Sequence, residues 1–264
     1  MKIVTWNING IKARIENLKI WLKESDPDIA CLQEIKSVDE NFPREEIEAL
    51  GYHVETHGQK GFNGVALISK TSPLEVIRGL PMLNDTDEPD PQARFIEGVF
   101  STDKGIIRVV SLYLPNGNPV DTEKFPYKLG WMARLEEYAK RQLLLEEPLV
   151  LAGDYNIIPE PHDCKDPKSW EGDAAFRPES HAAFRKFVNL GFTDAHRSVN
   201  DEDKAYTFWD YQAGAWQKNN GIRIDFMMLS PEAANMLDTL IVEKHVRGWE
   251  KPSDHVPVAL YLNT

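Results

Sequence analysis

Cysteine is scarce: Cys31 and Cys164 are the two thiols in 264 residues. Two such residues make neither a disulfide framework nor a zinc motif, and Cys31, within Ile29-Ala30-Cys31-Leu32, reads as a small buried hydrophobe in a reducing cytoplasm. No apolar run reaches the roughly 18 residues of a membrane span, so no membrane association is expected. Met1 to Asn7 lack the apolar region and cleavage site of a signal peptide and read as a first strand. No repeat, low-complexity tract or Gly/Ser linker marks a domain boundary, and the length alone allows one large domain or two small ones. GxGxxG and GxxxxGK[ST] are both missing, which removes the two common glycine cradles for nucleotides.

Positive charge is also in short supply. Thirty Lys and Arg stand against 42 Asp and Glu, a net charge of −12. Affinity for nucleic acid comes from cations facing phosphates, so the total argues against such a partner. The acid is concentrated, however, in stretches such as 84–90, 143–148 and 199–204, while 57–64, 124–128 and 216–223 are basic or rich in amides. Composition therefore leaves the partner open.

Strand-like runs recur along the whole chain, at 2–6, 28–33, 52–57, 64–69, 93–100, 106–114, 148–152, 222–229 and 256–262. Helical patterns lie between them. Ile15, Leu18, Ile20, Trp21 and Leu22 form one apolar face, and further helices are expected near 43–50, 122–146 and 178–190. Hairpin-like runs mixed with single crossovers predict sheets covered by helices rather than a regular βαβ barrel.

Polar residues of one kind stand where these strands run out. Asn7, Glu34, Tyr113 with Asn116, Asp154 with Asn156, Asp225, and Asp254-His255 each follow, interrupt or precede an apolar run. Singly, each also reads as a turn former, a strand end or a core residue. Asp225 within Ile224-Asp225-Phe226 demands a buried partner, either Arg223 or a histidine. Together they predict a common rim, because sites are built on loops at one sheet edge. Oxygen donors without thiolates favour a hard cation, Mg²⁺ or Mn²⁺, over structural zinc.

"WNINGIKAR" (6–14), "CLQEIK" (31–36), "HGQKGFNGVALISK" (57–70), "SLYLPNG" (111–117), "GDYN" (153–156), "GIRIDFMML" (221–229) and "KPSDHVPV" (251–258) occur in this order. The series resembles the exonuclease III family of apurinic/apyrimidinic endonucleases, in its bacterial branch, over nearly the whole chain. The resemblance implies a single-domain DNase I-like four-layer α/β sandwich, two packed mixed β-sheets flanked by helices. It implies hydrolysis 5′ to abasic sites in duplex DNA with one or two Mg²⁺ or Mn²⁺ ions, and 3′→5′ exonuclease and 3′-phosphatase activities. A cytoplasmic bacterial monomer, at the nucleoid by virtue of its substrate, would follow.

By the same resemblance Glu34 is the principal metal ligand, Asn7 and Asp254 complete or border that site, and Asp154, Asn156 and His255 count among its donors. Asp154 orients or deprotonates the attacking water, with Asn156 aligning water and phosphate. His255 contacts the scissile phosphate and is held by Asp225, Tyr113 faces the phosphate or leaving group, and Asn116 touches phosphate. Asp154 is favoured over His255 as the base, because pairing with Asp225 should keep the imidazole charged. Phe208, Trp209, Trp216 and Arg223 are implied DNA contacts, the aromatics at a pocket for a flipped sugar. Lys and Arg in "GIKAR", "HGQKG", "KFPYK" and "WQKNNGIR" are further phosphate candidates. The chain departs from animal-type members at Ile222, where they carry Trp, and at Asn9, where they carry Asp. The alternatives are a superfamily relative acting on phosphoinositides, sphingomyelin or RNA, and a DNA-binding module without catalysis.

Overall fold

The computed structural model describes residues 1–82, 84, 88–200 and 204–264, so the acidic stretches 84–90 and 199–204 lie partly outside the described residues. In chain order the strands are β1 (Lys2–Asn7), β2 (Ile29–Gln33), β3 (His53–His57), β4 (Val65–Ser69), β5 (Glu75–Arg78), β6 (Phe95–Thr102), β7 (Gly105–Tyr113), β8 (Leu149–Asp154), β9 (Thr193–Asp194), β10 (Asp225–Leu229), β11 (Leu237–Val242) and β12 (Val258–Leu262). The helices are α1 (Ile11–Ser25), α2 (Arg44–Glu48), α3 (Lys124–Leu143), α4 (Pro178–Asn189), α5 (Ala195–Val199) and α6 (Pro231–Ala234).

They build two six-stranded sheets, ordered β11-β12-β1-β2-β4-β3 and β5-β6-β7-β8-β10-β9. Each sheet holds one parallel pair, β1 with β2 and β7 with β8; the other pairs are antiparallel. Parallel neighbours need a crossover, and α1 and α3 supply it. Strands buried on both faces read as near-continuous apolar runs, which is why the central ones were legible. Alternation divides each such run between two cores. Ile3, Cys31 and Leu67 meet Val109, Val150 and Met227 between the sheets. Val4, Trp6 and Leu32 pack outward on Leu18, Trp21 and Leu22 of α1. On the far side, Val110, Leu112 and Leu151 pack on Trp131 and Leu135 of α3 and Phe184 of α4. Helix, sheet, sheet and helix make the expected four-layer α/β sandwich.

The three strands not expected from sequence, β5, β9 and β11, all lie at sheet margins. Their residues are largely half-exposed or exposed, so they carry no continuous apolar signal. Ile20, counted on the apolar face of α1, instead points to solvent at 48% exposure. Cys31 is the fully buried hydrophobe expected, and burial pushes its thiol pKa up.

The topology carries the functional consequence. β1, β2, β7 and β8 end at the same edge at which β12 and β10, antiparallel to β1 and β8, begin.

Candidate active site

Asp154 closes β8, and its register partners are Tyr113, the last residue of β7, and Asp225, the first of β10. The other sheet contributes Asn7 at the end of β1, Glu34 just beyond β2, and His255 ahead of β12. Glu34 sits in the left-handed region at φ 48°, a conformation rare for a non-glycine residue and a mark of a constrained site. At the rim the Asn7 amide bridges the sheets: Nδ2 donates to Glu34 Oε1 and to Asp154 Oδ2, both at 2.9 Å.

His255 is fixed from both ends. Its backbone N–H donates to Ser253 Oγ at 3.2 Å, and that hydroxyl donates to Asn7 O at 2.7 Å. Its Nδ1 lies 2.9 Å from Asp225 Oδ2, so histidine rather than Arg223 is the partner Asp225 required. Thr207 Oγ1 donates to the same oxygen at 2.5 Å. Nε2 is left facing Asp154 Oδ2 across 3.7 Å. Phe208 covers the imidazole, with ring centroids 5.0 Å apart.

Burial opposes charge on His255, but Asp225, Asp154 and Asp254 outweigh it and raise its pKa to about 10. Burial likewise pushes Asp154 up to about 7, with Asp225 and Glu34 adding to the rise while His255 and the Asn7 amide oppose it. At Glu34 burial alone would raise the pKa, yet Asn7, Lys36 and His255 bring it below the usual carboxylate value. Burial, then the Glu34 and Asp154 charges, lift the Tyr113 phenol well above its usual value, so it stays a neutral donor.

Asn156 N donates to Asp154 Oδ1 at 2.9 Å, and Asn116 Nδ2 donates to Asn156 Oδ1 at 3.2 Å. Asp254 Oδ1 accepts from Asn9 Nδ2 at 3.0 Å. Lys36 Nζ links Asn9 Oδ1 at 2.5 Å to Glu34 Oε2 at 3.0 Å. Asn7, Glu34, Asn116, Asp154, Asn156, Asp225, Asp254 and His255 are thus tied into one hydrogen-bonded group, directly or through Ser253, Asn9 and Lys36.

Several assignments change. Arg223 does not offer itself to DNA: it is 3% exposed, with Nε on Asp163 Oδ1 at 2.7 Å and Nη1 on Asp194 Oδ2 at 2.8 Å. Trp209 is fully buried with its indole N–H on Asn219 Oδ1, so it buttresses the half-buried Trp216 at 4.9 Å instead of stacking on substrate. His255 keeps its place among the candidate donors: with Asp154 and Asp225 it forms a buried group whose ligand atoms lie within 4.8 Å of one another and could hold a metal ion. Asn7 Oδ1 accepts from Asn9 N, and Asn156 Nδ2 donates to Leu114 O, which fixes the orientation of both amides. Lys128, a phosphate candidate in "KFPYK", is fully buried, and burial lowers its amine to about 7 against the pull of Asp154 and Asp173.

A cavity of about 330 Å³ adjoins the site. Phe208, Ile222 and Trp170 line it together with Asp173 and Asn220. Trp170 was not foreseen, since nothing in its neighbourhood, Pro167-Lys168-Ser169-Trp170, marks chemistry.

Phosphoester hydrolysis is the reaction that uses an acid beside a charged imidazole, with further carboxylates and amides around them, and the frame beneath is that of the DNase I-like phosphoesterases. The chain belongs to the Endonuclease/Exonuclease/phosphatase family, whose profile matches residues 4–255. It is 37% identical over 267 residues to exodeoxyribonuclease III of Haemophilus influenzae, covering 98% of each chain. Among solved structures, a 3′ phosphatase from Neisseria bound to a product DNA hairpin is 37% identical at a TM-score of 0.93, over 100% of both chains. An AP endonuclease from Archaeoglobus fulgidus is 35% identical at a TM-score of 0.92, again over 100% of both.

Proposed function

We propose that this chain is a metal-dependent DNA phosphodiesterase that hydrolyses duplex DNA 5′ to abasic sites and also removes 3′ nucleotides and 3′ phosphates. The observation that carries this reading is the 3.7 Å approach of Asp154 Oδ2 to His255 Nε2. It sets a carboxylate base beside a cationic hydrogen-bond donor, and a phosphoryl group undergoing attack by water needs both. The relatives named above, an exodeoxyribonuclease, a DNA-bound 3′ phosphatase and an AP endonuclease, support the substrate class.

The donors suit a hard cation. Glu34, Asp154 and Asp254 are carboxylates, and the upward shift of Asp154, set first by burial and then by the Asp225 and Glu34 charges, is one that a bound cation would oppose. These three would hold Mg²⁺ or Mn²⁺, as one or two ions, with Asn7 orienting two of them. When bound, such an ion polarises a phosphoryl oxygen and offsets charge that develops on it. Asp154 takes the proton of the attacking water, positioned with the help of Asn156. His255 donates to the phosphoryl oxygen and Asp225 keeps it charged. Tyr113, neutral, donates toward the phosphate or the leaving oxygen, and Asn116 to the phosphate. Phe208 and Ile222 receive the displaced abasic sugar, while a cleft of about 610 Å³ lined by Gln59, Gln92, Arg94, Asn116 and Lys124 offers amides and cations to the strand. The enzyme acts as a cytoplasmic monomer with one catalytic domain over residues 1–264.

The shifts set the pH dependence. A base works only above its pKa and a cationic donor only below, so kcat/KM rises with pH as Asp154 ionises and falls on the alkaline side as His255 loses its proton. Asp225→Asn removes the charge that raises His255 and moves the alkaline limb to lower pH. An unmoved alkaline limb in that variant would detach His255 from the profile. For the reaction itself, incubation with a duplex carrying one abasic analogue should give cleavage with Mg²⁺ or Mn²⁺ and none in EDTA. Equal cleavage in EDTA, or none with either ion, would sink the proposal.

A further inference from the structure

Lys128 is a fully buried amine that the proposed chemistry does not use. It rises from the second turn of α3 and donates through Nζ to Asn116 O at 3.1 Å and to Asn156 O at 2.6 Å. These carbonyls belong to residues 40 apart in sequence, on the loops after β7 and β8. The same two residues meet again through their side chains, Asn116 Nδ2 on Asn156 Oδ1 at 3.2 Å. Lys128 therefore grips from below the pair whose amides border Asp154. We propose that Lys128 is a positioning residue: by holding both backbones it sets Asn116, tied to the Asn156 side chain, toward the phosphate and keeps Asn156 N–H on Asp154.

The surroundings fit that task. Gly117 follows Asn116 at φ 87°, and a Cβ there would stand 2.7 Å from Lys128 Cδ and 3.1 Å from Ala174 Cβ. The lysine stem thus occupies a groove that only glycine leaves open. Asn156 is itself left-handed at φ 49°, a conformation the lysine bond to its carbonyl helps hold. Burying an amine costs free energy that an apolar side chain of similar length would not, so packing alone does not account for lysine here. What methionine would lack at this place is the two donors.

The inference rests on the reading of Asp154 and Asn156 as catalytic groups, and its test separates the two. Lys128→Met keeps the stem and deletes the donors; Lys128→Gln, which retains an N–H, serves if the methionine variant does not fold. On the abasic duplex with Mg²⁺, the variant should lose about 10- to 100-fold in kcat with little change in KM, as expected when reacting groups are displaced by about an ångström. The same substitution made in an Asn156→Ala background should cost less than in the wild type, because the side chain that ties Asn156 to Asn116 is gone while the backbone N–H on Asp154 remains. A kcat within about twofold of wild type in the folded variant, or an undiminished loss in the Asn156→Ala background, would overturn the role. An inactive wild-type enzyme would instead remove the functional reading. The positioning claim would then stand or fall on the Asn156 side-chain amide resonances, which should shift in Lys128→Met and would refute it by staying fixed.

Discussion

Replacing Asp154 by Asn is expected to lower kcat on an abasic duplex by about 10³-fold, the scale of a lost general base. The geometry explains why so small a change matters. Asp154 accepts Asn7 Nδ2 on one oxygen and Asn156 N–H on the other, so both partners are donors. A carboxylate accepts at both atoms; a carboxamide must turn its NH₂ toward one of those donors and loses the charge as well. Stability should change little, because the substitution also removes a buried carboxylate whose ionisation burial opposes. A Tm within about 4 °C of wild type, roughly 1 kcal/mol for a chain of this size, is the expected companion result. A variant that keeps a tenth or more of wild-type turnover would contradict the role of Asp154.

The second large effect belongs to His255. His255→Ala should reduce kcat by about 10²- to 10³-fold through loss of the cationic donor. It should also destabilise the fold, since Asp225, 2% exposed, is left a buried carboxylate with Thr207 Oγ1 as its remaining side-chain donor. Stranding one half of a buried charge pair costs about 3–5 kcal/mol. The double variant His255→Ala with Asp225→Ala removes both charges, so urea unfolding should show much of that loss recovered while turnover stays low. Recovery of turnover along with stability would mean that His255 acts through folding alone.

Much of this site was legible because topology does the gathering. Asn7, Glu34, Tyr113, Asp154 and His255 each stood at the end of, or just before, an apolar run and Asp225 inside one, and the two parallel pairs bring the strand ends to one edge. Marginal strands such as β11 were not legible, since a half-exposed strand carries no such run. Trp209 was misjudged for a reason that adjacent residues can supply: in extended backbone neighbours face opposite ways, and Phe208 already faced His255. Arg223 carried no local warning, because one partner, Asp163, lies 60 residues before it. Lys128 did carry one. It shares with Phe125, Trp131, Met132 and Leu135 the helical spacing of an apolar stripe, and a lysine on such a stripe is buried unless it reaches water.

The central claim is hydrolysis of a DNA phosphodiester by water at the rim that joins the two sheets. It is tested most directly with a duplex holding one tetrahydrofuran analogue of an abasic site, which has no aldehyde and cannot undergo elimination. Mg²⁺-dependent incision on the 5′ side, leaving a 3′ hydroxyl that a polymerase extends, is the predicted result. An intact analogue under conditions where a natural abasic site is cut would contradict it and point to elimination chemistry.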